Sequence, residues 1–402
     1  MKRAKQGAVP KEVQEVAVAV TSRLAAVVTG GLILCTTVTA AVLPEDRTEM
    51  LYHRYEGGGI TIDGPSVLVR KQVKDKVSLW GNYYVDNISG ASIDLLARGS
   101  DYYEERREEH SLGFDYIKDR TILSLSHTNS SERDYEANTI AFGLSQEFFG
   151  DMTTLSMSYS QGNDEVRQNI YQGSRIVDTI HRGDARHQRF GFGLTQVMTP
   201  RWLLSANIES VIDDGFLNNP YRSVRFLQAS GVGTEAERYP ETRNSDAFAI
   251  RSLVYLPYRA ALRFEYRTYF DSWGIEADNY ELRYLHPYDE HWLFEVKYRA
   301  YSQSRADFYA DLFPFQDAQT YLARDKELSS FDDSAFGFGI NYTFSKNPMN
   351  WIDETALHFY WDFIQFNYSD FRENLPSNPD IGNEPLYGFD ANIIRLFLSL
   401  NY

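Results

Sequence analysis

Apolar and polar residues alternate with a period of two along much of this chain. Residues 260–271 read AALRFEYRTYFD. Leu262, Phe264, Tyr266, Thr268 and Phe270 take one parity, while Arg263, Glu265, Arg267, Tyr269 and Asp271 take the other. Side chains on a strand alternate between two faces, so as a strand this segment has one apolar face and one charged face. A helix would repeat its apolar positions every three to four residues, which this stretch does not do. A strand of a soluble sandwich alternates too, so the weight rests on recurrence and on how the strands are joined.

The pattern recurs. Leu112, Phe114 and Tyr116 oppose Ser111, Gly113 and Asp115, and Phe190, Phe192 and Leu194 oppose Gly191, Gly193 and Thr195. Trp292, Phe294, Val296 and Tyr298 oppose Leu293, Glu295, Lys297 and Arg299. Phe336, Phe338, Ile340 and Tyr342 oppose Gly337, Gly339 and Asn341, and Leu357, Phe359, Trp361 and Phe363 oppose His358, Tyr360 and Asp362. The chain ends FLSLNY, with Ile394, Leu396, Leu398, Leu400 and Tyr402 on one parity. A last strand closing on an aromatic residue is what barrel-insertion machinery reads.

The gaps between these runs are alternately short and long. Short ones fall at 74–76, 118–120, 150–152, 199–201, 257–259, 287–290 and 346–351. Long or acidic ones fall at 88–107, 163–185, 214–245, 303–332 and 369–386. Bacterial outer-membrane barrels have short periplasmic turns and long outer loops. Trp80, Trp202, Trp292 and Trp351 lie near short gaps and suit an interfacial aromatic girdle. The periodic runs predict fifteen strands from residue 67 onward. The first of them enters a short turn, so residues 50–56, MLYHRYE, must carry the chain outward before it. Residues 57–65 then read as an outer loop, with Gly57-Gly58-Gly59 flexible and Asp63-Gly64-Pro65 a turn. The predicted fold is all-β: a transmembrane antiparallel up-and-down β-barrel of about 16 strands, with 14 as the alternative.

Composition agrees. Aromatic residues make up 15% of the 402 residues, and the mean hydropathy of −0.44 excludes a bundle of membrane helices. A barrel is hydrophilic on average because only every second strand residue meets lipid. The long uncharged stretch, residues 24–44, follows Lys2, Arg3, Lys5, Lys11 and Arg23 and contains Val38-Thr39-Ala40. A basic lead, an apolar core and small residues at a cleavage point read as a secretory signal over residues 1–40, leaving 41–402 as one barrel domain. The alternative, a single membrane anchor, fits its Gly and Thr content less well. Cleavage would remove five basic and two acidic residues together with Cys35, the one cysteine of a chain of net charge −16. The mature protein would then have no thiolate chemistry, and its strong negative charge argues against nucleic acid as a partner.

The runs GGGITIDGPSVLVRK (57–71), NNPYRSVR (218–225) and ARDKELSSFD (323–332), with the ending EPLYGFDANIIRLFLSL, resemble DUF3570, a bacterial family of unknown function predicted to form outer-membrane β-barrels. The resemblance implies a barrel in the outer membrane of a Gram-negative bacterium. It implies no activity and no catalytic residues.

Candidate chemistry is thin. Arg263, Glu265, Arg267, Glu281, Arg283, Glu295, Lys297 and Arg299 share the inward parity of three neighbouring strands. They read as a charged pore wall, or as a cross-strand ion-pair lattice with opposite charges alternating along and across the strands. Gly113, Gly143, Gly191, Gly193, Gly337 and Gly339 share that parity and either leave room for a plug or relieve crowding. His358, near Asp362, and His127 are the histidines on which a hydrolase would be tested. The acidic stretch 307–333 reads as a solvated outer loop, bridged to lipopolysaccharide by divalent ions.

The expected function is a porin-like channel for small solutes, without cofactor, metal or enzymatic activity. The alternatives are an accessory or assembly barrel serving a periplasmic or surface protein and, weakest, an outer-membrane hydrolase. Expected partners are outer-membrane lipid, lipopolysaccharide and the insertion machinery.

Overall fold

The computed structural model describes residues 42–90, 103–172, 175–229, 231–344, 352–373 and 380–402. The signal over residues 1–40 and Trp351 lie outside the described residues. Sixteen strands close one antiparallel barrel. They are β1 (Arg47–Gly57), β2 (Ile60–Lys74), β3 (Val77–Gly90), β4 (Tyr103–Lys118), β5 (Thr121–Ser131), β6 (Tyr135–Phe148), β7 (Thr153–Gln172), β8 (Arg175–Thr199), β9 (Trp202–Gly215), β12 (Thr242–Tyr255), β13 (Ala261–Asp271), β14 (Glu276–Pro287), β15 (Trp292–Gln303), β16 (Phe331–Thr343), β17 (Glu354–Arg372) and β18 (Leu386–Asn401). β10 (Ser223–Gln228) and β11 (Gly231–Ala236) form a separate hairpin within the β9–β12 connection. β1 pairs with β2 on one side and β18 on the other, Arg47 facing Asn401. Closure leaves no strand edge, which hydrocarbon requires because no water is there to satisfy an unpaired amide.

The strand faces match the parity read from sequence. Phe264, Leu282, Tyr298 and Phe336 are successive cross-strand partners on β13–β16 and all are exposed. Around the wall Leu112, Phe142, Met157, Phe192, Ile208, Phe359 and Leu396 continue this outward belt. On the opposite parity Arg263, Glu281, Arg283 and Glu295 are buried. The run 50–56 forms most of β1, so the count is 16 rather than 14.

Four local expectations fail, each for a physical reason. Asp63-Gly64-Pro65 is no turn: it lies inside β2, Gly64 facing His53 and Pro65 facing Tyr52. A Cβ on Gly64 would stand 1.8 Å from the Val85 carbonyl oxygen, so glycine is needed for the close approach of β3. The turn is Gly58-Gly59, with φ of 58° and 79° at the two positions, a tight hairpin rather than a flexible loop. Residues 163–185 are no loop either, since β7 and β8 stay paired up to Gln172 opposite Arg175. That ribbon rises past its neighbours, which leave it at Val166 and Ala185. Polar residues occupy both of its faces there, mixed with Ile170, Ile176, Val177 and Ile180, so it lacks the period-two signal of a half-buried strand. Trp80 faces inward, opposite Arg70 and Gly113, whereas Trp202 and Trp292 are exposed on the outer belt. Its indole lies 5.8 Å from the Arg70 guanidinium, over a glycine whose Cβ would come within 2.5 Å of the ring.

Candidate solute path and its outer cap

The inner surface has two unlike halves. On β5–β9 many inward positions are short: Ser124, Gly143, Ser158 and Gly191 are cross-strand partners, as are Ser126, Ala141 and Ser160. Ser158 is exposed although it faces inward. From β12 round to β2 many inward residues are long. They pack into apolar layers, such as Leu51 with Tyr360 and Phe397, or into ion pairs.

The eight charged residues expected on one face are brought together there. Glu265 receives Arg251 at 2.6 Å and Arg263 at 3.1 Å. Arg283 reaches Glu281 at 3.0 Å and Glu295 at 3.1 Å, and Lys297 meets Asp362 at 2.9 Å, which also accepts from Arg395 at 2.7 Å. Arg267 reaches back to Glu209 at 3.3 Å, and Arg299 pairs with Asp333 at 2.5 Å. The lattice is more skewed than the expected checkerboard. Register sets Arg263 opposite Arg283 and Glu265 opposite Glu281, so most of the attraction runs along strands and diagonals. Gly337 and Gly339 make room for it: Cβ atoms there would lie 2.2 Å from Asp362 Oδ1 and 2.7 Å from the Tyr360 ring. At these positions the glycines relieve crowding.

The outer mouth is covered. Residues 216–229, 231–241 and 304–330 fold over it into an apolar cluster containing Leu217, Tyr239, Phe308, Tyr309, Ala323 and Leu328. The same cluster includes Ala185 of β8 and Tyr368 and Tyr387 of β17 and β18, strands on nearly opposite sides of the barrel. A second cluster joins Val224 and Phe226 to Phe313 and Leu322. Arg225, 2% exposed, ties three segments together by pairing with Asp311 and with Glu384, the latter at 2.5 Å. Arg324 also reaches Asp311 at 3.0 Å, and Arg222 pairs with the buried Asp325. The stretch 307–333 is thus a folded element with a buried core and an exposed tip at 314–317 and 319–321, and not the wholly solvated loop its acidity suggests. Asp311 and Asp325 are taken up in the cap by Arg225, Arg324 and Arg222.

Burial raises Glu384, but the Arg225 guanidinium outweighs it and holds the carboxyl below its ordinary value. Glu237 behaves oppositely. Burial, and then the Asp325 charge, push it up to about 7, although Arg222, Tyr239 O–H and Arg324 N–H favour its ionised form. A carboxyl raised on folding contributes stability below its unfolded pKa, and this is lost as pH rises through the folded value. The cap is therefore expected to exchange amide hydrogens faster at pH 8 than at pH 5, beyond the intrinsic rate change. Glu237→Gln should flatten that difference. An unchanged difference in the variant would remove Glu237 as its source.

The family model for DUF3570, described as a protein of unknown function, matches residues 97–352, more than half of the chain. The chain belongs to the DUF3570 family. Its closed barrel and apolar belt place this DUF3570 protein in the outer membrane of a Gram-negative bacterium. No curated protein matches it. Among solved structures it is similar to a bacterial polysaccharide outer membrane secretin at 6% identity, over 89% of this chain and 99% of that one, with a TM-score of 0.46. It is also similar to Pseudomonas aeruginosa OpdK with vanillate at 10% identity, 89% and 98% coverage and a TM-score of 0.42. A third is the siderophore receptor PirA from Pseudomonas aeruginosa, at 9% identity, 90% and 64% coverage and 0.41.

Two residues singled out for hydrolysis are not placed for it in the DUF3570 barrel. His358 faces inward but bonds Asn341 at 2.8 Å and Ser399 at 3.1 Å, while Asp362 is taken by Lys297 and Arg395. His127 lies opposite Leu112 and Ile140, on the outward face. Sequence reasoning missed Arg225 and its two carboxylates. A signal was present: NNPYRSVR contains Arg222 and Arg225, ARDKELSSFD contains Arg324 and Asp325, and the C-terminal run begins at Glu384. Three of the four runs that carry the family resemblance meet in the cap, while 57–71 lies in the barrel wall.

Proposed function

We propose that this barrel is a gated channel for small polar solutes, whose path follows the short-residue wall and whose outer cap sets when it is open. The observation that carries the reading is the inward-facing but solvent-reachable hydroxyl wall of β5–β9, beside a charged wall whose members are paired. A sixteen-stranded barrel is wide enough to keep a water-filled lumen, and polar side chains lining it replace part of a solute's hydration. The outward position of His127 and the engagement of His358 support a non-enzymatic role. The cap also favours a second reading, an accessory barrel that presents a built outer surface to a protein partner.

Liposome swelling separates the two. A channel is expected to admit small sugars and amino acids, with rates falling as solute size grows. Liposomes that stay impermeable, even with a cap-loosened variant, would favour the accessory reading.

A further inference from the structure

The outward face of β6–β9 changes character step by step toward the cap. Leu144, Met157, Phe192 and Ile208 are cross-strand partners in the apolar belt. One step up, the rings of Tyr159 and Phe190 lie 5.1 Å apart, an aromatic pair at the edge of the hydrocarbon. An amide layer follows, in which Gln161 accepts from the Tyr159 hydroxyl at 3.1 Å and Gln188 donates to it at 3.1 Å. Above that, Asn138, Asn163, Arg186 and Asp214 form one continuous cross-strand row, with Glu136, Glu165 and Asp184 next to it.

These two upper rows line a groove of about 490 Å³. It opens on the lipid side of the wall, since its side chains share the parity of the exposed Met157 and Phe192. Asp164 and Ala185, on the other parity, are buried beneath it and close its floor. Two of its carboxylates share a cation: Arg167 pairs with Glu136 at 3.2 Å and with Glu165 at 2.6 Å. Asn163, Arg186 and Asp214 are exposed, and Arg186 reaches down to Gln161 at 3.3 Å. The polar row on β13–β17 is different. It runs Thr268, Asp278, Ser302, Asp332 and Asn367, with no guanidinium.

We infer that this groove docks the sugar head group of an outer-leaflet lipopolysaccharide, whose acyl chains lie against the belt directly below. Amide and carboxylate oxygens accept from sugar hydroxyls, amide N–H groups donate to them, and the Arg186 guanidinium suits a phosphate on the sugar. A glycerophospholipid offers this row a phosphate but few hydroxyls. A soluble saccharide lacks the chains that would use the continuity of groove and belt. The inference does not depend on the channel reading.

Native mass spectrometry of the intact barrel, titrated with lipopolysaccharide in detergent, tests it. The wild type is expected to hold a lipopolysaccharide that excess phospholipid does not displace. Asn163→Ala with Arg186→Ala should weaken that binding several-fold or more. Both side chains are exposed, so the folded band on a semi-native gel should persist. If the double variant fails to fold, Asn163→Ala alone carries the same expectation. Asn367→Ala with Asp278→Asn, on the far wall, should leave binding unchanged. No loss in the groove variants, or an equal loss in the far-wall variant, overturns the inference. Displacement by phospholipid overturns it too, as does equal affinity for the deacylated core oligosaccharide, which would make the groove a soluble-sugar site.

Discussion

Phe264→Arg is expected to block stable insertion. Phe264 is exposed on the outward face of β13, between the exposed Leu282 on β14 and Ser252 on β12. A guanidinium at that height must enter hydrocarbon or snorkel out of it, at a cost of about 2–4 kcal/mol for a lipid-facing site near mid-membrane. The folded band on a semi-native gel should weaken, and the urea midpoint in vesicles should fall. Glu265→Gln changes the next residue, on the inner face. It keeps an acceptor for Arg251 and Arg263 but loses the charge that both guanidiniums share, so a smaller loss is expected. If Glu265→Gln proved the more damaging of the two in lipid, the two faces would be inverted. A wild type that refolded in buffer without detergent would argue against the membrane assignment altogether.

Arg225→Ala is expected to release the cap while leaving the barrel folded. The substitution would strand Asp311 and Glu384 beside each other in a buried site. Removing one partner of a buried ion pair costs about 3–5 kcal/mol, because the remaining charge is uncompensated. Asp311 keeps Arg324, which places the expected loss toward the lower end of that range. The cap loops are joined to the barrel by chain connections and by the Tyr368, Phe371 and Tyr387 cluster, so the loss should be local. Protease should nick residues 304–330 in intact outer membranes of the variant and spare the wild type. Hydrogen exchange should rise in residues 216–241 and 304–330 but not in β13–β16. Faster exchange throughout the barrel would mean that the lock serves global stability instead.

The fold was legible because a barrel in lipid has one strong constraint. Every lipid-facing position must be apolar and every neighbouring position is free to be polar, so parity survives along strands such as residues 261–271 without any alignment. Reading failed where that constraint lapses. The upper halves of β7 and β8 rise past their neighbours, and polar residues occupy both of their faces. Trp80 lies near a turn, which suits a girdle, but its parity, shared with the buried Ser78 and opposed to the exposed Leu79, turns it inward. Gly64-Pro65 carried turn chemistry that the ladder overrode through a close backbone approach. The cap was out of reach for a different reason. Its pairs join Arg225 to Asp311 and Glu384 across 86 and 159 positions of sequence, and no local period reports such a contact. The acidity of residues 307–333 points to solvent, whereas two of the matching guanidiniums, Arg222 and Arg225, lie in another loop.

A polar lumen closed by an outer cap should show itself in single-channel recording of wild type beside Arg225→Ala. Brief or small openings are expected in the wild type, and larger, long-lived openings in Arg225→Ala at the same protein density. Identical records from the two proteins, whether both silent or both fully open, would contradict it.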